Sequence, residues 1–199
     1  MPTMPPVQAV ADRIEKAEAV DGVASRLQNL LRRALPPAAT DMLGGEPLGH
    51  PLHPLLVVLP IGAWGSASVL DLLGEQTAAR KLTAFGCAAA LPTAAAGAVD
   101  WASTSGAQRR TGLVHASLNY AALTTYFASW RARRRGRRVT GSLLSMAGFG
   151  LLTAGGWLGG HLAYSQGVGV DTEEFRQRNP GSGGPAHATD GMVVVEPGT

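Results

Sequence analysis

Four histidines lie beside the apolar segments of this 199-residue chain, and their ring nitrogens are the side-chain groups best suited to chemistry. His50 and His53 stand among prolines in GHPLHP, just before a long apolar run. His115 lies in GLVHASLNY and His161 in GGHLAY. Imidazole nitrogens bind haem iron, copper and zinc. Because ionisable side chains inside apolar helices usually face a bundle interior and carry function, His115 in particular predicts a binding site.

These histidines belong to four apolar segments, residues 55–73, 82–99, 112–130 and 139–164. Each segment is close to the ~20 residues that a helix needs to cross a ~30 Å hydrocarbon layer. Aromatic residues are few and the chain has 26 glycines, as expected where helices pack closely in lipid. The sequence therefore predicts an all-α membrane protein, with an up-down bundle of four transmembrane helices in residues 46–170.

Polar segments flank the predicted bundle. Apolar residues between Val7 and Leu35 recur at helical spacing, which predicts an amphipathic helix, broken near Asp21, on the membrane surface. This helix and a linker would fill residues 1–45. Residues 171–199 are rich in glycine and proline and predict a flexible, disordered tail.

The segment that begins at Arg131 and ends at Arg138 contains six arginines in eight residues. Under the positive-inside rule this loop is cytoplasmic, so both termini of a multi-pass plasma-membrane protein lie outside. Helix alternation then places the four histidines near the outer face. An arginine run between two membrane helices favours this topology over nucleic-acid binding. The expected contacts are membrane lipids, and a homodimer stays open.

The HPLHP stretch predicts local unwinding at the start of the first helix. A residue before proline is pushed towards extended conformations, so His50 and His53 are both expected in an unwound segment. Pro54 would then occupy the first helical position.

We predict that His53 and His115 are the axial ligands of one haem b, because they lie at matching depth. His161 is the substitute for either ligand, and His50 is expected to meet a haem propionate or water. Asn119 shares a helix face with His115 and could orient it, as could a carbonyl freed by a proline. Two alternatives remain open: copper or zinc on the same imidazoles, and a structural or assembly subunit without a cofactor.

Other kinds of chemistry have little support. The single cysteine, Cys87, excludes disulfide frameworks, c-type haem attachment and cysteine-ligated iron–sulfur clusters within one chain. Paired carboxylates, a phosphate loop and a nucleophile elbow are missing from the sequence pattern. A redox carrier is therefore favoured over a self-contained enzyme.

Three stretches, HPLLVVLPIGAW, GLVHASLNY and GGHLAYSQGVGV, resemble the four-helix membrane domain family of unknown function 2231 over about residues 44–171. Many members read H-P-x-L-V-H-F-P at the first helix. His53 matches the first histidine of this motif, Val58 stands at the second, and His115 matches the histidine of the third-helix motif. Members occur alone or fused to Rieske-type iron–sulfur domains. The resemblance therefore implies membrane electron transfer, with a Rieske-type protein on another chain as a redox partner.

Overall fold

The structure, a computed structural model, describes residues 6–169 of the chain. The predicted tail, residues 171–199, lies outside the described residues. Three short helices lead into the apolar part of the chain. The helices are α1 (Pro6–Glu15), α2 (Asp21–Ala34), α3 (Pro37–Gly44), α4 (Leu52–Leu56), α5 (Val58–Leu72), α6 (Gln76–Ala102), α7 (Gly106–Arg134) and α8 (Arg138–Tyr164).

Within residues 6–169, three helical segments are long and apolar enough to cross a membrane: Leu52–Leu72, which joins α4 and α5, Gln76–Ala102, and Arg138–Tyr164. They correspond to three of the four predicted segments. The remaining one, residues 112–130, lies within the 29-residue helix α7. The prediction of an all-helical membrane protein is confirmed at this level.

The N-terminal region differs in detail from the prediction of one helix broken near Asp21. The break lies earlier, because α1 ends at Glu15 and a short 3-10 turn, Glu18–Val20, precedes α2. Helix α3 was not predicted. It begins at Pro37, where the fixed φ of proline suits a first helical position and no N–H is lost.

The prediction that His53 lies in an unwound segment is wrong. His53 is the second residue of α4, and Pro51 is the extended residue that precedes this helix (ψ 130°). Pro54 is then the third helical residue. Its missing N–H costs nothing there, because the first N–H groups of a helix have no helical acceptor. His50 lies before the helix, as predicted.

The second half of the bundle repeats the first half 62 positions later. Helix α5 ends at Leu72 and α7 at Arg134, while Gln76–Ala102 of α6 corresponds to Arg138–Tyr164 of α8. The chain thus forms two helical hairpins of matching geometry. The first hairpin comprises α4, α5 and α6, and the second comprises α7 and α8.

The hairpins pack so that α5 and α7 are diagonal. Each of these two helices packs against both α6 and α8. Three pairs of side chains cross the diagonal, and every pair joins corresponding positions of the two hairpins. The pairs are His53 with His115 (ring centroids 6.4 Å apart), Trp64 with Tyr126 (stacked at 4.1 Å, planes within 5°) and Asp71 with Arg133 (N–O distances of 2.5 Å).

Glycines on α6 and α8 make room for the aromatic pair. A Cβ added to Gly86 would lie 2.4 Å from Trp64 Nε1, and one added to Gly148 would lie 3.0 Å from the Tyr126 ring. These two glycines again occupy corresponding positions of the hairpins. Small residues at such contacts let membrane helices approach closely. Here they admit a large side chain from the adjacent helix.

The ion pair at one end of the diagonal is buried. The exposed fractions of the Arg133 and Asp71 side chains are 2% and 10%. Both Nη groups of Arg133 donate to Asp71, Nε donates to Ser129 Oγ at 3.1 Å, and Nη2 also donates to Ser145 Oγ at 3.0 Å. One arginine of the predicted cytoplasmic loop is therefore an internal residue that links α5, α7 and α8.

Replacing Asp71 by Asn should strongly destabilise the fold. The substitution keeps the side-chain size but leaves the Arg133 guanidinium buried without its counter-charge, which costs about 3–5 kcal/mol. The free energy of unfolding of the purified protein in mixed micelles measures this effect. The control is Arg134→Gln, an exposed neighbour, for which we expect a change within about 0.5 kcal/mol. Equal stabilities of the two variants would contradict the role assigned to the pair.

Candidate functional site

The structure brings His53 and His115 together at the end of the bundle opposite the ion pair. His53 comes from α4 and His115 from the second turn of the apolar part of α7. Their ring centroids are 6.4 Å apart and the ring planes are nearly perpendicular, at 84°. Both side chains are partly buried. Two imidazoles from different helices thus lie next to each other at this end of the bundle.

Each ring is oriented by a backbone carbonyl of the adjacent helix. His53 Nδ1 lies 2.9 Å from Thr93 O, and His115 Nδ1 lies 2.8 Å from Gly155 O. Because a carbonyl only accepts hydrogen bonds, each Nδ1 must carry the proton and donate it. The Nε2 atom of each neutral ring then keeps a lone pair. This arrangement is typical of histidines that bind a metal through Nε2.

The environment of the two rings follows the repeat. A Cβ at Gly97 of α6 would lie 2.8 Å from His53 Nδ1, and a Cβ at Gly159 of α8 would lie 2.9 Å from His115 Cε1. Each imidazole therefore rests on helix backbone where a glycine leaves space. Thr93 and Gly155, which supply the carbonyls, also correspond between the hairpins. The two histidines are equivalent in position, in hydrogen-bond acceptor and in packing.

Asn119 breaks this equivalence. Its Nδ2 donates to His115 O at 2.9 Å and lies 3.2 Å from Nε2 and 3.3 Å from Nδ1 of the same ring, so the amide packs against the imidazole. The corresponding residue of the first hairpin is Val57. Asn119 therefore shares a helix face with His115, as the sequence indicated. The Nδ1 protons, however, go to ordinary helix carbonyls rather than to Asn119 or to carbonyls freed by proline.

The other two candidate histidines have different surroundings. His161 Nε2 bonds to Glu15 Oε1 at 2.7 Å, and its ring stacks on Trp157 with centroids 5.8 Å apart. His50 is exposed and lines a shallow open cavity with Gly45 and Glu46. Within residues 6–169, no three His, Cys, Asp or Glu side chains are grouped closely enough to hold a metal ion. The site that the structure assembles is accordingly the His53–His115 pair.

The N-terminal helices attach to the histidine end of the bundle through Glu15. Besides the bond from His161, Glu15 Oε1 accepts one from Gln166 Nε2 at 2.8 Å. Burial raises the pKa of this carboxyl, but the hydrogen bonds from His161 and Gln166 outweigh it and hold the pKa below its usual value. Sequence analysis missed this contact, because a charged residue on a predicted surface helix gives no sign of a distant partner.

A second attachment centres on Asp21 at the start of α2. Arg110 donates to both carboxylate oxygens, from Nε at 3.0 Å and from Nη2 at 2.6 Å, and Arg109 Nη2 lies 3.0 Å from Oδ1. Two turns further along the same face, Gln28 Nε2 donates to the carbonyls of Trp101 and Thr104. Helices α1 and α2 are therefore held by polar contacts over the ends of α6, α7 and α8.

A family model described as a predicted membrane protein, DUF2231, matches residues 49–172. The chain belongs to this family. The matched range of the DUF2231 domain contains both hairpins, His53 and His115, and leaves α1 to α3 outside, in agreement with the resemblance over about residues 44–171. No curated protein and no solved structure matched the chain.

The attachment of α2 should weaken in acid because of Asp21. Hydrogen bonds from Arg110, opposed by burial and reinforced by Arg109, lower the pKa of Asp21 from 3.8 to about 2. The ionised carboxylate thus contributes its full stability above the usual pKa, and this contribution is lost as the pH falls through about 2. We expect Asp21→Asn to have a lower Tm than the wild type near neutral pH, with a difference that shrinks below about pH 4.

The matched control is Asp41→Asn, which changes an exposed carboxylate of α3. Its Tm should follow that of the wild type at every pH. A Tm difference for Asp21→Asn that is undiminished at the acid end would contradict the assignment.

Proposed function

We propose that this DUF2231 protein is a four-span membrane electron-transfer component, in which His53 and His115 are the axial ligands of one haem b. The observation that carries the proposal is the pair itself. Two imidazoles from the two hairpins lie with ring centroids 6.4 Å apart, and each donates from Nδ1 to a backbone carbonyl, which leaves Nε2 as the nitrogen that would bind a metal.

The proposal counts α7 as the fourth transmembrane helix. In the repeat, helix α7 corresponds to the α4–α5 span. In both hairpins three residues separate the end of this helix from the start of the next one. Ser129 and Arg133 are buried in the bundle and Asn119 contacts His115, while the exposed Ser117 and Thr124 donate to carbonyls of α7 itself. The apolar residues of α7 that remain can then face lipid.

Helices α1 and α2 are proposed to form an amphipathic cap on the outer membrane surface. Ala24 and Gln28 are buried against the bundle, whereas Val7, Val10 and Leu30 are 47%, 50% and 64% exposed. The exposed apolar side chains thus lie away from the polar attachments described above. A surface helix with this division fits the boundary between headgroups and acyl chains.

The residues of the pair fit a shared metal centre. Metal–nitrogen bonds of about 2 Å to each Nε2 place two imidazole centroids about 6 Å apart, close to the observed separation. The carbonyls of Thr93 and Gly155 fix the tautomer of each ring and increase the basicity of Nε2. With these features His53 and His115 would be suitable ligands for one iron.

Haem iron with two imidazole ligands supplies reversible one-electron transfer. The chain's own residues orient both imidazoles through the carbonyls of Thr93 and Gly155 and keep both rings partly buried in the bundle. If His53 and His115 both bind the iron, the site would favour an electron carrier over an enzyme. A Rieske-type protein on another chain is the proposed redox partner.

A bare copper or zinc ion on the same two histidines is the second candidate. Both rings already pack closely against Gly97 and Gly159, so an ion needs less additional space than a porphyrin. The two open cavities of about 500 and 230 Å³ are lined by other residues, among them His50 and Asp100. A bare ion therefore needs a smaller rearrangement of the hairpins than haem does.

The first test is an absorption spectrum of the dithionite-reduced protein, purified after haem-replete expression, together with metal analysis. We expect the spectrum of a haem b with two imidazole ligands, lost in both His53→Ala and His115→Ala. His50→Ala is the matched control and should keep the spectrum. A bound copper or zinc ion without haem would support the second candidate instead. A wild type that lacks both would contradict both proposals and favour a structural or assembly subunit.

The topology gives an independent prediction. In a Cys87→Ala background, a cysteine at position 135 should react with a membrane-impermeant maleimide only from the cytoplasmic side, and a cysteine at position 181 only from outside. Intact cells and inverted vesicles provide the two sides. Labelling of position 135 from outside would contradict the proposed orientation but would leave the pairing of the histidines unaffected.

A further inference from the structure

The two hairpin turns have the same backbone. Residues 73–75 connect α5 to α6, and residues 135–137 connect α7 to α8. The central glycines, Gly74 and Gly136, have φ of +81° and +76°. The residues that follow them have φ and ψ of −77° and 61° in the first turn and −83° and 71° in the second. The first turn therefore serves as an internal control for the second.

The first turn exposes two leucines, whereas the second turn exposes arginines. Leu72 and Leu73, beside the first turn, are 88% and 70% exposed. Arginines occupy the corresponding positions of the second turn, as well as three further positions around it. Because the first hairpin makes the same turn without arginine, the fold does not require these charges. The exposed arginines are Arg131, Arg134, Arg135, Arg137 and Arg138, which we call the arginine turn.

The charges of the arginine turn are not neutralised within the described part of the chain. The sixth arginine of the run, Arg133, pairs with Asp71 inside the bundle, whereas no ion pair in residues 6–169 involves any member of the arginine turn. Arg134 lies over the Trp130 ring, 5.1 Å from its centroid. Backbone bonds from Gly136 N and Arg137 N to carbonyls of α7 close the turn, so the cations project from an ordered surface.

The position of the arginine turn at the end of an apolar helix indicates which groups it contacts. Helix α8 begins at Arg138 and is apolar enough to span a membrane, and Val139 and Leu143 in its first turns are 75% and 61% exposed. The guanidinium groups therefore stand where apolar surface ends and lipid phosphates lie. Guanidinium groups bind phosphate oxygens in pairs, and arginine clusters beside a transmembrane helix attract anionic lipids.

We propose that the arginine turn is a binding site for the headgroups of anionic phospholipids. The lipid phosphates supply the counter-charges that the described residues do not. Acyl chains of the same lipids cover the exposed apolar residues at the start of α8. This inference is independent of whether His53 and His115 bind haem.

The test uses the full-length protein in phosphatidylcholine bilayers with phosphatidylglycerol as the probe lipid. Fluorescence quenching of Trp130 by phosphatidylglycerol brominated on its acyl chains, compared with brominated phosphatidylcholine, reports the local lipid preference. Subtraction of the Trp130→Phe signal removes the other three tryptophans. We expect a preference for phosphatidylglycerol that falls about fivefold or more when Arg135, Arg137 and Arg138 are all changed to Gln, and that weakens at high salt.

Two further variants separate a site from net charge. Lysine at the same three positions keeps the charge and should retain most of the preference. The triple variant Arg26→Gln, Arg32→Gln and Arg33→Gln removes the same charge from exposed positions of α2 and should leave quenching at Trp130 unchanged. Equal lipid preference in the wild type and the arginine-turn Gln variant, each folded as judged by circular dichroism, would overturn the proposal.

Discussion

The contact between α5 and α7 across the bundle diagonal sets the rest of the structure. Large or charged side chains join the α4–α5 segment to α7 in three layers, with the His53–His115 pair at one end, a stacked Trp64–Tyr126 pair in the middle, and a buried ion pair at the other end. A diagonal filled in this way needs space on the remaining two helices. Glycines of α6 and α8 supply it, and a Cβ at Gly86 or Gly97 would collide with the layer that it faces.

The repeat explains why all three layers pair corresponding positions of the two hairpins, although the residue types differ from layer to layer. On the diagonal, a residue of the first hairpin contacts the residue at the corresponding position of the second hairpin, 62 positions later. Two histidines can occupy such a pair of positions, whereas two equal charges would repel each other in a low-dielectric interior. The charged layer therefore consists of opposite residues, Asp71 and Arg133. The two hairpins thus have the same residue in the histidine layer, and residues of opposite charge in the layer at the other end.

The helical segments and the grouping of the histidines could be predicted from the sequence, because both depend on local patterns. Apolar runs of membrane length identify spans, and alternating helix direction places His53 and His115 at one end. Their direct approach could not be predicted, since it depends on which helices are diagonal. The repeat was equally hidden: its recurring residues, such as His53/His115 and Gly86/Gly148, are scattered among unrelated ones. The buried position of Arg133 was missed because five of its neighbours in the run do face solvent.

Corresponding positions at which the two hairpins have different residues indicate interactions that only one hairpin makes. Asn119 supports the ring of His115, whereas the first hairpin has Val57 at that position and its histidine is held by the carbonyl alone. His161 takes the place of Val99 and connects α8 to Glu15 of the N-terminal cap. In the opposite sense, Asp100 of α6 stands where α8 has Leu162. The two hairpins therefore orient their histidines through the same backbone contact but surround them with different polar side chains.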